Sequence, residues 1–404
     1  MRRVPVLLPL LLVAPGARAE DGGPGRGPVI EGVAEVIGGT NAPDGKWPDA
    51  AAVLFNGQQG CSGTLIAPKV VITAGHCNDS QLRSVLVGTA SLARPGDGQT
   101  IAVARTVEFP NSQATEDITI VILTEEARFP PRRIATGWAR LDIKNGAQVQ
   151  LVGYGAIDQN AQRFKNELQE AATTITDATC SERPGCNPSV APGGELGAGG
   201  MGVDTCPGDS GGPLYLKTSY GDFLAGVTSR AYDDATVACR DGGIYARPDA
   251  VIDQLEQMAG VPLARGPEPM FDKLVAAAAG DGVETPIMPN DPVSDEHTFE
   301  LTTPPARGTA KLRGDGVLRV CTDPAAPAGS TDAVTVTITD AKSSARRLAV
   351  TIPVVIGDGA PTSDCDVDAF ETVAGGGCCD GGRGGATALP LAALGLLALR
   401  RRRR

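Results

Sequence analysis

The chain has 404 residues, enough for two or three domains, and its 42% hydrophobic content permits a sizeable core. A net charge of −11, with the only dense basic run at residues 400–404, excludes a protein built to bind nucleic acid, because phosphate backbones demand clustered lysine and arginine. The 52 glycines and 31 prolines favour β structure with many turns, and ten cysteines indicate disulfides and an oxidising compartment.

The N-terminal residues predict a targeting segment followed by a pro-segment. Two arginines precede an apolar run over residues 4–13, and a small-residue cleavage site follows at Ala17-Arg18-Ala19. This pattern is typical of a secretory signal peptide over residues 1–19, and the run is too short for a transmembrane anchor. Residues 20–35 are then a Gly-rich pro-segment, too polar and flexible to fold alone.

Three segments up to the middle of the chain carry chemical signals. Val36-Ile37-Gly38-Gly39 is typical of a strand that enters a turn, and Asp117 stands at the head of a β-branched, apolar strand over residues 118–123. In Gly208-Asp209-Ser210-Gly211-Gly212-Pro213 the glycines allow a tight turn and bring N–H groups close to a bound carbonyl. Ser210 is therefore a candidate nucleophile; the alternative is a Gly-rich turn that happens to carry Ser and Asp.

A serine nucleophile needs an imidazole base and an orienting acid. The chain has only two histidines, His76 and His297, and His297 lies in a separate β-rich region. His76 is therefore the expected base, with Asp117 as the acid that holds it.

These segments together resemble the trypsin/chymotrypsin family of serine proteases over roughly residues 36–260. The matching segments, in the order of the family, are residues 36–39, 61–67, 70–77, 117–123, 148–155 and 208–213. The resemblance implies an all-β domain over residues 36–262, with two six-stranded antiparallel β-barrels. Residues 248–259 predict its C-terminal helix, with Pro in the first turn and an apolar face.

The resemblance also implies a role for each site residue. Ser210 attacks the scissile carbonyl, His76 carries the proton, Asp117 orients the imidazole, and the backbone N–H groups of Gly208 and Ser210 stabilise the oxyanion. In this family the amino group freed at Val36 folds inward and pairs with the acid before the nucleophile, here Asp209. No metal or organic cofactor is needed for that chemistry.

The resemblance further predicts a specificity pocket and three disulfides. Asp204 stands where trypsin-like members carry the acid at the pocket base, Ser229 matches the wall strand, and Gly243 matches the opposite wall, so that arginine or lysine would be selected. Arg230 and Ala231 depart from the family's Trp and Gly, which leaves the neighbouring subsites open. The expected disulfides are Cys61–Cys77, Cys180–Cys186 and Cys206–Cys239.

The second half predicts a linker over residues 263–292 and then a β-sandwich over residues 293–357. Val334, Val336 and Ile338 alternate with threonines, the period of a half-buried strand, and short strands recur at the spacing of a sandwich. The segment resembles bacterial cadherin-like or immunoglobulin-like repeats. Cys321 and Cys365 are a candidate disulfide. Asp332 or Asp340 is either a calcium ligand or, the favoured alternative, a solvated turn acid.

The C-terminal residues predict a Gly/Cys-rich linker over residues 358–385, then a hydrophobic helix over residues 386–399 and a cluster of arginines. The helix would be about 21 Å long against roughly 30 Å of bilayer core. With Cys378 and Cys379 before it, this order resembles the MYXO-CTERM type of bacterial sorting tail; the alternative is an ordinary transmembrane tail anchor.

The predicted protein is an exported zymogen that hydrolyses peptide bonds after arginine or lysine. Its expected partners are protein or peptide substrates, an activating protease, sorting machinery and, through the tail, a membrane. Its expected location is the cell surface or outer membrane, or the extracellular space after tail processing. The alternative function is a catalytically silent, protease-fold adhesin in which the β-sandwich binds a partner.

Overall fold

The computed structural model describes residues 37–110, 117–187, 194–360 and 365–370. The predictions on the signal peptide, the pro-segment, Val36 and the sorting tail with Cys378 and Cys379 lie outside these residues.

Six antiparallel strands form the first β-barrel, after a short strand β1 (Thr40–Asn41). They are β2 (Ala50–Phe55), β3 (Gln58–Ala67), β4 (Val70–Thr73), β5 (Leu82–Val87), β6 (Gln99–Glu108) and β7 (Thr119–Leu123). The barrel closes in the order β2-β3-β4-β7-β6-β5. Its interior is filled by apolar, largely β-branched side chains such as Val53, Val71, Val85 and Val121, which suit a pleated surface.

The second barrel also has six antiparallel strands. They are β8 (Gln148–Gly153), β9 (Gln169–Asp177), β10 (Glu195–Ala198), β11 (Pro213–Thr218), β12 (Gly221–Ala231) and β13 (Gly243–Ala246). The order β9-β10-β13-β12-β11-β8 closes through a β8–β9 pairing, and β1 adds to β9. The predicted pair of six-stranded barrels is confirmed.

The predicted helix at the end of the barrels is α1 (Ile252–Ala259), shorter at its start than the expected residues 248–259. Ile252, Leu255 and Ala259 face the core between the barrels, and Gly260 ends the helix in the left-handed conformation that glycine tolerates. Within the described ranges, every helix is too short or too polar to cross a membrane.

Seven strands form the predicted β-sandwich. They are β14 (Leu274–Ala276), β15 (Gly282–Pro286), β16 (His297–Thr303), β17 (Thr309–Leu312), β18 (Val317–Cys321), β19 (Thr331–Asp340) and β20 (Ser343–Ile356). One sheet has the order β14-β20-β19-β16 and the other β15-β18-β17. Val334, Val336 and Ile338 of β19 are fully buried against Leu318 and Val320 of β18, as the alternating pattern predicts.

The linker predicted over residues 263–292 is wrong, because this segment contributes β14 and β15, one strand to each sheet of the sandwich. It also pairs with the two-barrel half: Ile134 N donates to Ala264 O at 2.7 Å and Trp138 N donates to Pro267 O at 2.8 Å. Its proline and glycine content suggested a flexible connection, but long-range pairing orders it into edge strands.

The sandwich is docked on the barrels through Trp138, which lies in a 3₁₀ segment over Gly137–Asp142. The indole is fully buried in the hydrophobic core of the sandwich, and its Nε1 donates to Pro289 O at 2.6 Å. Arg346 of β20 completes the contact with ion pairs to Asp142 at 3.3 Å and Asp291 at 3.0 Å. The β-sandwich is therefore packed against the two-barrel half rather than tethered to it.

Replacing Trp138 with alanine should lower the free energy of unfolding by about 3–5 kcal/mol, because the change removes a fully buried indole and leaves a cavity. Calorimetry should show the loss, together with the separation of one transition into two as the sandwich unfolds apart from the barrels. The matched control is Val275→Ala, which shortens an exposed side chain of β14. An unchanged melting curve would contradict the docking role.

Candidate functional site

The loop of Ser210 lies between β10 and β11 and packs against the end of β4. Gly211 has a φ of +79°, and a Cβ there would lie 2.1 Å from Thr73 Oγ1 and 2.5 Å from Ala74 N. Only glycine satisfies both constraints. The loop is thereby held against the segment that leads directly to His76.

His76 and Asp117 are joined by two hydrogen bonds. The His76 Nδ1 is 2.8 Å from Asp117 Oδ2, and the His76 backbone N–H donates to Oδ1 at 2.9 Å. His76 lies in a 3₁₀ turn after β4, and Asp117 stands just before the neighbouring strand β7. The carboxylate thus fixes both the backbone and the ring orientation of the histidine.

Asp117 is kept ionised by its partners. Burial opposes its charge, but the hydrogen bonds and charge of His76 and a 2.7 Å hydrogen bond from Ser229 Oγ lower the pKa of this carboxyl below its usual value. Ser229, which the sequence assigned to substrate selection, lines the pocket and also holds the acid. Asp117 is therefore suited to stabilise an imidazolium.

Ser210 lies beside the turn that carries His76. Its carbonyl oxygen accepts a hydrogen bond from Ser62 N at 2.8 Å and lies 3.7 Å from Cys77 Sγ, in the residue after His76. The Cys61–Cys77 disulfide joins β3 to the same turn. The structure therefore brings the predicted nucleophile and base to one place, between the two barrels.

Two backbone N–H groups beside Ser210 are oriented by hydrogen bonds that hold the carbonyls of the same peptide units. Pro207 O accepts from Ala156 N at 3.0 Å, and Asp209 O accepts from Gly212 N at 2.7 Å. In a trans peptide the N–H opposes the carbonyl, so these bonds orient the N–H groups of Gly208 and Ser210. Among the described residues neither N–H group has a hydrogen-bond acceptor. Both are therefore available to donate to a substrate oxygen.

A pocket opens beside Ser210, and Asp204 lines its inner end. The lining residues are Asp204, Thr205, Cys206, Pro207, Ser210, Thr228, Ser229, Arg230, Ala231, Ala238 and Gly243. A Cβ on Gly243 would lie 3.5 Å from Asp204 Oδ1, so any larger side chain there would approach the carboxylate. The three residues predicted to select the substrate therefore line one pocket.

The Asp204 carboxylate is only 2% exposed, and this burial raises its pKa to about 6. Backbone N–H groups of Arg240 at 2.7 Å, Thr205 at 2.8 Å and Gly242 at 3.1 Å oppose the rise. The described residues give Asp204 hydrogen-bond donors but no ion pair. The carboxylate is thus a buried negative charge that a cationic ligand would stabilise.

Asp209 is buried behind the Ser210 loop. Its carboxylate accepts from Gly155 N at 2.7 Å and Cys206 N at 2.9 Å, and burial raises its pKa to about 7. Ile37, at the start of the described chain, accepts a hydrogen bond from Asp204 N at 3.2 Å, so the chain enters close to this region. Val36, the predicted partner of Asp209, lies outside the described residues.

The described residues form four disulfides. They are Cys61–Cys77, Cys180–Cys186, Cys206–Cys239 and Cys321–Cys365. Two groups could offer metal ligands, and each of them contains a bonded cysteine pair, whose sulfurs are not thiolates. Cys206–Cys239 joins two segments of the pocket region, and Cys180–Cys186 closes a small loop near β10.

Asp332 and Asp340 of the sandwich accept hydrogen bonds instead of facing an open site. Asp332 accepts from Ala306 N at 3.0 Å and Arg307 N at 2.8 Å. Asp340 accepts from Lys342 N at 2.8 Å and Ser294 Oγ at 3.0 Å. This pattern is typical of acids that stabilise turns.

Sequence reasoning missed the partner of Arg230. The guanidinium forms a bidentate ion pair with Glu195 of β10, at 2.6 and 2.8 Å, and the Glu195 side chain is almost fully buried. The only signal was the basic residue at a position where the family carries an aromatic one. The identity of the acid depends on the pairing of β10 and β12 with β13, which no local pattern shows.

Comparison with known proteins gives a consistent set of relatives. The family model described as Trypsin matches residues 36–253. Serine protease 56 of Mus musculus is 28% identical over 246 residues, which cover 57% of this chain and 40% of that protein. Chymotrypsin-like elastase family member 1 of Bos taurus is 30% identical over 216 residues, covering 48% of this chain and 79% of that protein.

A similar solved structure is titled neuropsin, a serine protease expressed in the limbic system of mouse brain. It is 26% identical with a TM-score of 0.47, and the match covers 54% of this chain and 97% of that chain. The chain spans well under two thirds of the length of Serine protease 56 but more than three quarters of the elastase relative. The matched family segment falls on the two barrels, and the sandwich is outside it.

Proposed function

Because this chain belongs to the trypsin family of serine proteases, we propose that it is a serine endopeptidase that cleaves after arginine or lysine through an acyl-enzyme. The observation that supports this proposal best is the hydrogen-bonded His76–Asp117 pair beside Ser210, at the mouth of a pocket lined by Asp204. Each of these residues supplies one requirement of the reaction.

In the proposed mechanism, His76 takes the proton of the Ser210 hydroxyl as the oxygen attacks the scissile carbonyl. Asp117 stabilises the imidazolium that forms, and the N–H groups of Gly208 and Ser210 receive the developing oxyanion. His76 then returns the proton to the leaving amine. A water molecule repeats the sequence on the acyl-enzyme and releases the product acid and Ser210.

We also propose that the protein is exported through residues 1–19, activated by release of Val36, and displayed or released through its C-terminal tail. The order of cysteines, apolar run and arginines in the sequence supports a sorting tail of the MYXO-CTERM type. The domains follow as a protease over residues 36–262 and a β-sandwich that starts near residue 274. An adhesin without activity would not react with a fluorophosphonate, whereas the proposed enzyme should be labelled at Ser210.

The preference for basic residues is tested by Asp204→Ser. This change should lower kcat/KM on arginine amide substrates by at least ~100-fold, because an unpaired cation in a closed pocket costs about 3 kcal/mol. Initial rates on a peptide panel that varies only the residue before the scissile bond give the measurement. Asp234→Ser, which removes an exposed acid outside the pocket lining, is the control. If Asp204→Ser keeps the preference for arginine, the pocket assignment is wrong.

Asp204 should also make the selection depend on pH. Its pKa is raised to about 6, so the carboxylate is ionised above that pH and becomes neutral below it. The ratio of kcat/KM for arginine and citrulline substrates should therefore fall about tenfold between pH of about 8 and about 5. Protonation of the catalytic base lowers kcat/KM equally for both substrates, so its effect cancels in this ratio. A ratio that stays constant across the range would contradict the role of Asp204.

A further inference from the structure

Arg230 lies on the wall of the pocket and in the cleft that leads to it. It follows Ser229 on β12 and lines the same pocket as Asp204 and Ser210, with 42% of its side chain exposed. Pairing of β12 with β11 ends at Val227, so beyond this point that side of β12 borders the cleft. A substrate that runs along this side of β12 with its basic residue in the pocket would place neighbouring residues near Arg230.

The two terminal nitrogens of the Arg230 guanidinium are occupied by the protein. One terminal nitrogen donates to Glu195 Oε1 at 2.6 Å and Ser229 Oγ at 3.2 Å. The other donates to Glu195 Oε2 at 2.8 Å and Gly185 O at 2.7 Å. These bonds account for all four N–H groups of the two terminal nitrogens. A substrate carboxylate could reach those N–H groups only by displacing a partner that is already in place.

The charge of Arg230 is also compensated. The Glu195 side chain is only 1% exposed, so water screens its negative charge poorly. The carboxylate therefore acts strongly on the guanidinium beside it. A second acid, Asp233, lies close by: a Cβ on Gly185 would be 2.6 Å from its carboxylate carbon. An acidic substrate side chain would therefore meet as much negative as positive charge.

Beyond its single Nε–H, what Arg230 can still offer is the flat face of the guanidinium. A planar, weakly hydrated cation held at its edges is a good surface for an aromatic ring. The same protein makes such contacts elsewhere: the guanidinium carbon of Arg183 lies 4.2 Å from the ring centroid of Tyr232, and that of Arg132 lies 4.6 Å from Tyr215.

We propose that the Arg230–Glu195 pair is the floor of a second subsite, which takes an aromatic side chain from the three substrate residues that precede the basic one. Ala231 and Ala238, which line the pocket with Arg230, have short side chains and leave room for a ring. This inference rests on the proposed protease function and adds a second element of sequence selection to it.

The test is a library of fluorogenic tetrapeptide amides with arginine at the cleavage position and the three preceding positions varied one at a time. The wild-type enzyme should prefer Phe, Tyr or Trp over Ala by about three- to fivefold at one position. In Arg230→Gln/Glu195→Gln, which leaves a neutral amide pair and no buried lone charge, this preference should disappear. Arg230→Lys should lose it as well, because the ammonium has no planar face.

Glu195→Gln supplies the opposite outcome. It removes the acid that is paired directly with Arg230 and leaves the neighbouring Asp233, so the same position should gain a preference for Asp or Glu over Asn or Gln. Each variant is first titrated with a fluorophosphonate, and rates are divided by the labelled fraction, so that misfolding does not imitate a change of preference.

Two results would overturn the inference. One is a flat wild-type profile at all three positions, on an enzyme that cleaves after arginine; the proposed function would then stand alone. The other is an aromatic preference that persists in Arg230→Gln/Glu195→Gln. If the wild-type enzyme is labelled by the fluorophosphonate but cleaves no arginine or lysine peptide, the substrate assignment fails, and the second subsite fails with it.

Discussion

Replacing Ser210 with alanine should lower kcat on a blocked arginine amide by about 10⁵- to 10⁶-fold, because the covalent route is lost while the pocket and oxyanion donors remain. The change removes one hydroxyl, and the glycines that shape the loop are untouched. Activity is measured by initial rates after affinity purification, to exclude traces of other proteases. Ser80→Ala, in an exposed turn of the first barrel, is the matched control and should keep full activity.

The double variant His76→Ala/Ser210→Ala sharpens this result. A nucleophile and its base act as one unit, so removing both should cost little more than removing Ser210 alone. Fluorophosphonate labelling should be lost in the Ser210→Ala variant and kept in Ser80→Ala. Additive losses, or labelling that survives Ser210→Ala, would show that another group is the nucleophile.

The candidate catalytic residues were found from the sequence because they carry strong local signals. Ser210 lies among glycines that a tight loop requires, and Asp117 precedes a run of β-branched residues that can only be a buried strand. His76 was assigned because the chain has so few histidines. The two barrels were predicted through the family resemblance that these segments carry.

The contacts that hold the two halves together were not predictable. Trp138 stands in a segment that mixes apolar and polar residues, and only the packed structure shows that it belongs to the core of the sandwich. Leu274 and Ala276 form a strand of three residues, too short for a periodic pattern to be visible. Such features depend on pairing between residues far apart in sequence, which propensity does not report.

The same limit applies to the buried charges. Asp49 accepts hydrogen bonds from Arg132, at 3.0 and 2.5 Å, and from Tyr215, at 2.5 Å, although these residues are spread over more than 160 positions. Glu195 and Arg230 are a second example, 35 positions apart. A charged residue in a strand shows that a partner must exist, because an unpaired buried charge is costly, but it does not identify the partner.

The intact chain should be latent and should gain about 1,000-fold in kcat/KM when it is cut before Val36. Burial raises the pKa of Asp209 to about 7, and among the described residues its carboxylate has backbone N–H donors but no ion pair. An amine freed at Val36 would form an ion pair with the Asp209 carboxylate. Such a buried pair stabilises the active state by roughly 4 kcal/mol, which corresponds to a factor of about 1,000. Asp209→Asn should keep the cut chain near the activity of the uncut one.

The cut itself should need another protease, because the residue before Val36 is Glu35. A pocket with Asp204 at its base repels a glutamate, and two like charges in a poorly solvated cleft cost several kcal/mol. The Glu35→Arg precursor should therefore activate itself, with an exponential rise in rate, whereas the wild-type precursor mixed with active enzyme should not. Glu31→Arg is the matched control: it is cut by the enzyme but leaves four extra residues (32–35) before Val36, so no activity should appear. N-terminal sequencing identifies each cut, and rapid release of Val36 from the wild-type precursor by its own active form would contradict both this prediction and the acidic pocket.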